Sequence, residues 1–233
     1  MPMSNLHQWN LTPTEAVALQ RELASRVDFS TPLDLDTVKI VAGVDVSVRD
    51  DVSTAAMVAL SFPDMRVLER VTAKVPTTFP YIPGLLSFRE IPVLLEAHAK
   101  LSVTPDVYMV DGMGRIHPRR IGIAAHLGLW LDAPTVGVGK THFLGKYDDP
   151  PNERGGYAEL TDRGELLGVV LRTKPNVKPV YVSPGHRIDL DSAIRLVMAC
   201  TSKYRLPDPI RAAHNTAGVK DDGSGEDAQW RLL

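Results

Sequence analysis

Val38-Lys39-Ile40-Val41-Ala42-Gly43-Val44-Asp45-Val46-Ser47 is an apolar run broken by one carboxylate, and Val107-Tyr108-Met109-Val110-Asp111-Gly112-Met113-Gly114 is a second run that ends in one. An ionised Asp among strand residues costs several kcal/mol, roughly, unless a positive group neutralises it. Taken singly, each Asp has an ordinary explanation as a turn former or helix cap, and Asp111-Gly112 is a common turn dipeptide. Asp45 resists that explanation, because Val44, Val46 and Val48 carry the alternation past it. Lys39 or Arg49 could pair with it structurally. The sharper reading is a hard divalent cation held between two strand-borne carboxylates, since such ions take oxygen ligands.

Outward from these runs, the chain divides into recognisable elements. Thr12-Pro13-Thr14-Glu15 carries a cap, a proline at the first helical position and an acid three residues after the cap, so a helix is expected from about 13 to 26. Strands are expected over Val38 to Val48, Thr54 to Phe62 and Val67 to Val75, and short connections make them an antiparallel meander. Pro76 to Leu86 reads as a loop, and Phe88 to Leu101 as a helix with Pro92 in its first turn. A strand at 105–110, a glycine-rich turn, a helix near 121–131 and a strand at Thr135-Val136-Gly137-Val138 follow. Further strands are expected near 165–172 and 179–183, then helices over Asp189 to Lys203 and Asp208 to Val219. Alternating strands and helices imply parallel pairing, hence a mixed α/β sheet flanked by helices. Residues 1–219 are expected to form a single catalytic domain, and the polar, glycine-bearing 220–233 a disordered tail.

Composition narrows the class. At 233 residues with 44% hydrophobic content the chain can bury a full core. The formal charge of -2 argues against binding through global charge, while leaving room for a local basic groove. The lone Cys200 excludes an intrachain disulfide framework and fits a reducing compartment. No apolar stretch approaches 18 residues and no signal pattern opens the chain, so a soluble, cytoplasmic protein without a membrane partner is expected, by default a monomer.

Three antiparallel strands, a helix and then a parallel strand with an acid at its end is the order of the ribonuclease H-like fold, which would bring Asp45 and Asp111 together at the sheet centre. Glu90 sits near the start of the intervening helix, where an acid is also favoured simply by the helix dipole. Five segments then resemble the endonuclease V family, which acts on inosine. They are Gly43-Val44-Asp45-Val46-Ser47, Pro80 to Glu90, Val110-Asp111-Gly112 with His117-Pro118-Arg119-Arg120, Pro134 to Lys140, and Tyr181 to Arg187. The likeness runs from about residue 12 to 215; Met113 and Arg115 vary the glycine turn, Val48 replaces a frequent aromatic, and Asp208 stands where Glu is expected.

The resemblance implies a DNA repair endonuclease that extrudes deoxyinosine and hydrolyses the second phosphodiester bond on its 3′ side, leaving a 3′-hydroxyl and a 5′-phosphate. It implies Mg2+, with Mn2+ able to substitute, held by Asp45, Asp111 and Glu90, and catalytic roles for Lys140 and His214. Pro80, Tyr81, Ile82 and Pro83 would form a wedge that fills the gap left by the base. Gly84, Leu85, Gly112, Gly114, His117, Gly122 and Gly137 would form the base pocket, where backbone comes close to a planar ligand. Arg119 and Arg120, with Arg115 and Lys146, would meet phosphates. Rival expectations are an inosine-specific endoribonuclease with the same metal site, a non-catalytic nucleic-acid-binding module, and another ribonuclease H-like nuclease without inosine preference.

Overall fold

The computed structural model describes residues 6–218, so the tail expected over 220–233 lies outside the described residues. Helix α1 (Pro13–Ala24) begins as its sequence requires: the Thr12 side chain accepts from the Glu15 amide while the Glu15 carboxylate reaches back to the Thr12 amide. Strands β1 (Ile40–Arg49), β2 (Val52–Ser61) and β3 (Val67–Pro76) form the expected antiparallel meander. Helix α2 (Leu86–His98) leads to β4 (Val107–Val110), and α3 (Ile123–Leu131) leads to β5 (Thr135–Gly139). Then come β6 (Tyr157–Asp162), β7 (Glu165–Leu171), β8 (Val180–His186), α4 (Leu190–Ala199) and α5 (Asp208–Gly218).

One eight-stranded sheet runs β3-β2-β1-β4-β5-β8-β7-β6 among the described residues. Parallel pairing is confined to β1 with β4 and β4 with β5; β8, β7 and β6 return to antiparallel pairing. This is the ribonuclease H-like arrangement, a mixed sheet with helices on its faces. Because side chains alternate along a strand, Ala42, Val44, Tyr108 and Val110 pack against Ile91, Leu94 and Leu127 of α2 and α3. Val41, Met109, Val136 and Val138 face the other way, with Leu196 of α4 and Ile210 of α5. Burying these two layers, at roughly 25 cal/mol per Å² of apolar surface, is what holds the helices on the sheet.

Several elements differ from expectation, two of them for a clear physical reason. Helix α2 starts at Leu86, so Pro92 lies inside the helix rather than in its first turn, and the Phe88 carbonyl loses its usual amide partner. Burial of Phe88, Ile91, Leu94 and Leu95 on one face outweighs that loss. Glu90 accordingly sits in the second turn, and the helix-dipole explanation of it lapses. Strand β6 is absent from the expectation because only Leu160 of its residues is fully buried; its position is set by pairing with β7 across Arg163-Gly164. Helix α4 stops at Ala199, four residues short of the expected Lys203.

Candidate active site

Register brings the two opening carboxylates together. Val44 lies opposite Val110 in the parallel pair, and the Asp111 amide donates to the Val44 carbonyl at 2.9 Å, so Asp45 within β1 and Asp111 just past the end of β4 stand abreast. Both follow the alternation onto the face covered by α5. That helix comes close because Gly43 has no side chain: a Cβ there would lie 1.9 Å from the Pro209 carbonyl oxygen. The close seat lets His214 of α5 reach Asp45, with Nδ1 2.8 Å from Oδ2. Neither Lys39 nor Arg49 takes that role; the other Asp45 oxygen accepts from the Val46 amide.

Lys140, directly after β5, forms an ion pair with Asp111, and its Nζ lies 3.4 Å from His214 Nδ1. The Arg205 guanidinium anchors this corner by donating to the Lys140 carbonyl at 2.7 Å. Asp45, Asp111 and His214 each offer a ligand atom within 4.8 Å of the others'. Glu90 is not in this compact group; it approaches from α2, on the opposite face of the sheet.

The electrostatics show what such a set lacks. The Asp45 and Asp111 side chains are only 12% and 11% exposed, too little for water to screen them fully. Withdrawal from water and the neighbouring Asp45 charge push Asp111 above the usual carboxylate range, while Lys140 pulls it back. Glu90 is pushed up to about 8 by removal from solvent, then by the Asp45 and Asp111 charges. At neutral pH its carboxyl therefore holds a proton that a cation would displace. Oxygen donors with unsatisfied negative charge, plus one imidazole, fit a divalent metal ion.

Beside this group a cavity of about 420 Å³ opens between the Tyr81–Leu86 loop, the Asp111–Met113 turn and the Gly139–Phe143 segment. Asp111 and Lys140 belong to both cavity wall and acidic group, so whatever enters the cavity lies next to the carboxylates. Gly84 shapes one wall. Its φ of +81° is a left-handed conformation, and a Cβ would press within 2.9 Å of the Arg119 guanidinium. The Gly84 carbonyl accepts from His117 Nε2 at 3.0 Å and from Arg119 at 2.7 Å. His117 Nδ1 in turn accepts from the Arg119 amide, and burial, reinforced by Arg119, lowers its pKa to about 4. It is a neutral wall residue at physiological pH.

The structure distributes the expected site residues unevenly. Tyr81, Ile82, Pro83, Gly84, Gly112, His117 and Gly122 line the cavity, and the Tyr81 side chain stands 69% exposed at its mouth. Leu85, Gly114 and Gly137 do not line it: Leu85 packs with Ala16, Phe79 and Phe88, the Gly114 amide donates to Ser183 Oγ, and Gly137 lies in β5 beneath the glycine turn. The expected phosphate-binding arginines each have partners within the protein. Arg119 holds Gly84 and Gln20, Arg120 is paired with Glu165 and Asp162, and Arg115 with Glu165. Phe143, Thr141, Met113, Ile123 and Gln20 are cavity residues missed in the sequence. Phe143 carried a signal, a large aromatic three residues past Lys140, and it stacks on His117 with ring centroids 6.1 Å apart.

Comparison with known proteins places this geometry. Residues 21–215 match the model of the family described as Endonuclease V. An endonuclease V from a Nostoc species is 49% identical over 217 residues, covering 91% of this chain and 96% of the relative. The crystal structure of endonuclease V from Streptomyces avermitilis has 44% identity and a TM-score of 0.86, over 90% of this chain and 92% of its own. The Ciona intestinalis endonuclease V, crystallised with a 24mer DNA containing an inosine followed by a ribo-adenosine, has 31% identity and a TM-score of 0.77, over 88% and 95% of the two chains. With a family match across most of its length and relatives near half identity, the chain belongs to the endonuclease V family of nucleases.

Proposed function

We propose that this protein is a DNA repair enzyme that captures deoxyinosine in its cavity and hydrolyses the second phosphodiester bond on the 3′ side of the lesion. The observation that carries this is the shared wall: Asp111 and Lys140 bound the cavity and also belong to the acidic group, so base capture and phosphodiester chemistry are adjacent. Family membership, and an inosine-bearing DNA in the Ciona relative's complex, support the substrate.

Asp45, Asp111 and Glu90 are the residues that would hold Mg2+, with Mn2+ able to substitute. Such an ion, when bound, offsets charge on the phosphoryl oxygens and makes water more acidic. The remaining work falls to the protein. Lys140 Nζ fixes the Asp111 carboxylate and supplies a positive charge beside the reacting phosphate. His214 donates through Nδ1 to Asp45, which accepts only, and this leaves its Nε2 free to take a proton from water. Water attacks phosphorus, the bond to the 3′ oxygen breaks, and that oxygen takes a proton, giving a 3′-hydroxyl and a 5′-phosphate. No covalent enzyme intermediate is required.

Tyr81, exposed between Pro80 and Pro83, is the wedge that replaces the extruded base in the stack. Residues 1–219 act as one domain and a monomer, in the cytoplasm; among the described residues no helix is long and apolar enough to cross a membrane. Matched DNA and RNA duplexes, each with inosine or adenine at one position, test the substrate. In Mg2+ the inosine DNA is nicked and the adenine DNA is left intact. Preferential cutting of the inosine RNA would favour the endoribonuclease reading, and equal cutting of the two DNA duplexes would remove inosine as the target.

A further inference from the structure

One hydroxyl of the cavity wall has its polarity set from behind. Ser87, in the first turn of α2, lines the cavity and is buried. Its Oγ lies 3.0 Å from Nδ1 of His126, a fully buried residue of α3. Nε2 of His126 lies 2.7 Å from Nε2 of His7, and that His7 atom lies 3.2 Å from the Trp130 indole nitrogen.

Only one arrangement of hydrogens satisfies this chain of contacts. An indole nitrogen can only donate, so His7 Nε2 accepts. The His7 proton is then on Nδ1, where it donates to the Gln8 carbonyl at 2.9 Å. His126 must in turn donate through Nε2 to His7. Burial, with His7 adjacent, keeps His126 neutral, so its Nδ1 carries no hydrogen and accepts the one that Ser87 has. With that hydrogen committed inward, a group meeting Ser87 Oγ from the cavity must be a donor.

We propose that Ser87 is a specificity-determining residue that accepts the N1–H of hypoxanthine, an assignment that rests on the inosine reading above. Hypoxanthine carries a hydrogen on N1, whereas adenine presents a bare acceptor there. Adenine would set two acceptors against each other at a buried hydroxyl. Guanine shares the N1–H, so this contact separates 6-oxopurines from adenine and leaves guanine to be refused elsewhere in the cavity.

The test is equilibrium binding of duplexes bearing inosine or adenine at one position, by the wild type, Ser87→Ala and Trp130→Phe, with thermal midpoints recorded. Ser87→Ala is expected to lower inosine affinity about tenfold while adenine affinity holds, with a lower midpoint because His126 Nδ1 is left buried without a donor. Trp130 is outside the cavity lining, and removing its indole donor is expected to lower the inosine-to-adenine ratio by a smaller factor. An unchanged ratio in either variant, or a parallel fall for both duplexes, overturns the proposal. A wild type without inosine preference overturns the functional reading instead.

Discussion

Asp111→Ala abolishes strand cleavage, lowering single-turnover nicking of an inosine-containing duplex by about a thousandfold or more, and Asp45→Ala does the same. The size follows from position. The two carboxylates stand abreast at the centre of the sheet, nearly buried, and each is met by one side chain, Asp111 by Lys140 and Asp45 by His214. Removing one leaves the cation without half of its strand-borne ligands. It also leaves Lys140 or His214 facing a hole rather than an acid. Neither carboxylate supports the core, so the folded protein and its binding of inosine DNA persist, and a gel-shift titration beside the nicking assay shows this. Nicking at the wild-type rate by either variant would refute the cation assignment.

Tyr81→Ala lowers capture of the lesion by about tenfold to a hundredfold, the range expected when one base–aromatic stack is lost. The ring is exposed at the mouth of the cavity, and its neighbours Ile82 and Pro83 line the wall behind it. Its loss therefore acts on the extruded state and leaves the acidic group alone. Binding of inosine duplex weakens, while the Mg2+ concentration for half-maximal nicking stays the same. Unchanged lesion binding would remove the wedge.

The pair Asp45 and Asp111 was legible in the sequence because a charge that interrupts a strand pattern is visible without coordinates, and the order of elements places two such strands side by side. Their partners were less legible. His214 reaches Asp45 only because Gly43 admits the Pro209 carbonyl, a contact between residues far apart in the chain. Glu90 was identified as an acid near a helix start, yet its role depends on three charges converging from both faces of the sheet. The surroundings of the arginines are set in the same way: Arg119 meets Gly84 and Gln20, and Arg120 meets Asp162 and Glu165, none of them a sequence neighbour. Strand β6 escaped because its register comes from β7 and the hairpin between them, and one buried Leu160 leaves almost no periodic signal.

The most direct measurement of the whole account is incubation of a duplex carrying one deoxyinosine with the wild-type protein, with Mg2+ and with the metal chelated, and sequencing-gel mapping of the product ends. The expected result is a single nick in the inosine strand at the second phosphodiester bond 3′ to the lesion, with a 3′-hydroxyl and a 5′-phosphate, in the Mg2+ reaction alone. Cleavage that survives chelation, or cuts scattered without regard to inosine, would contradict it.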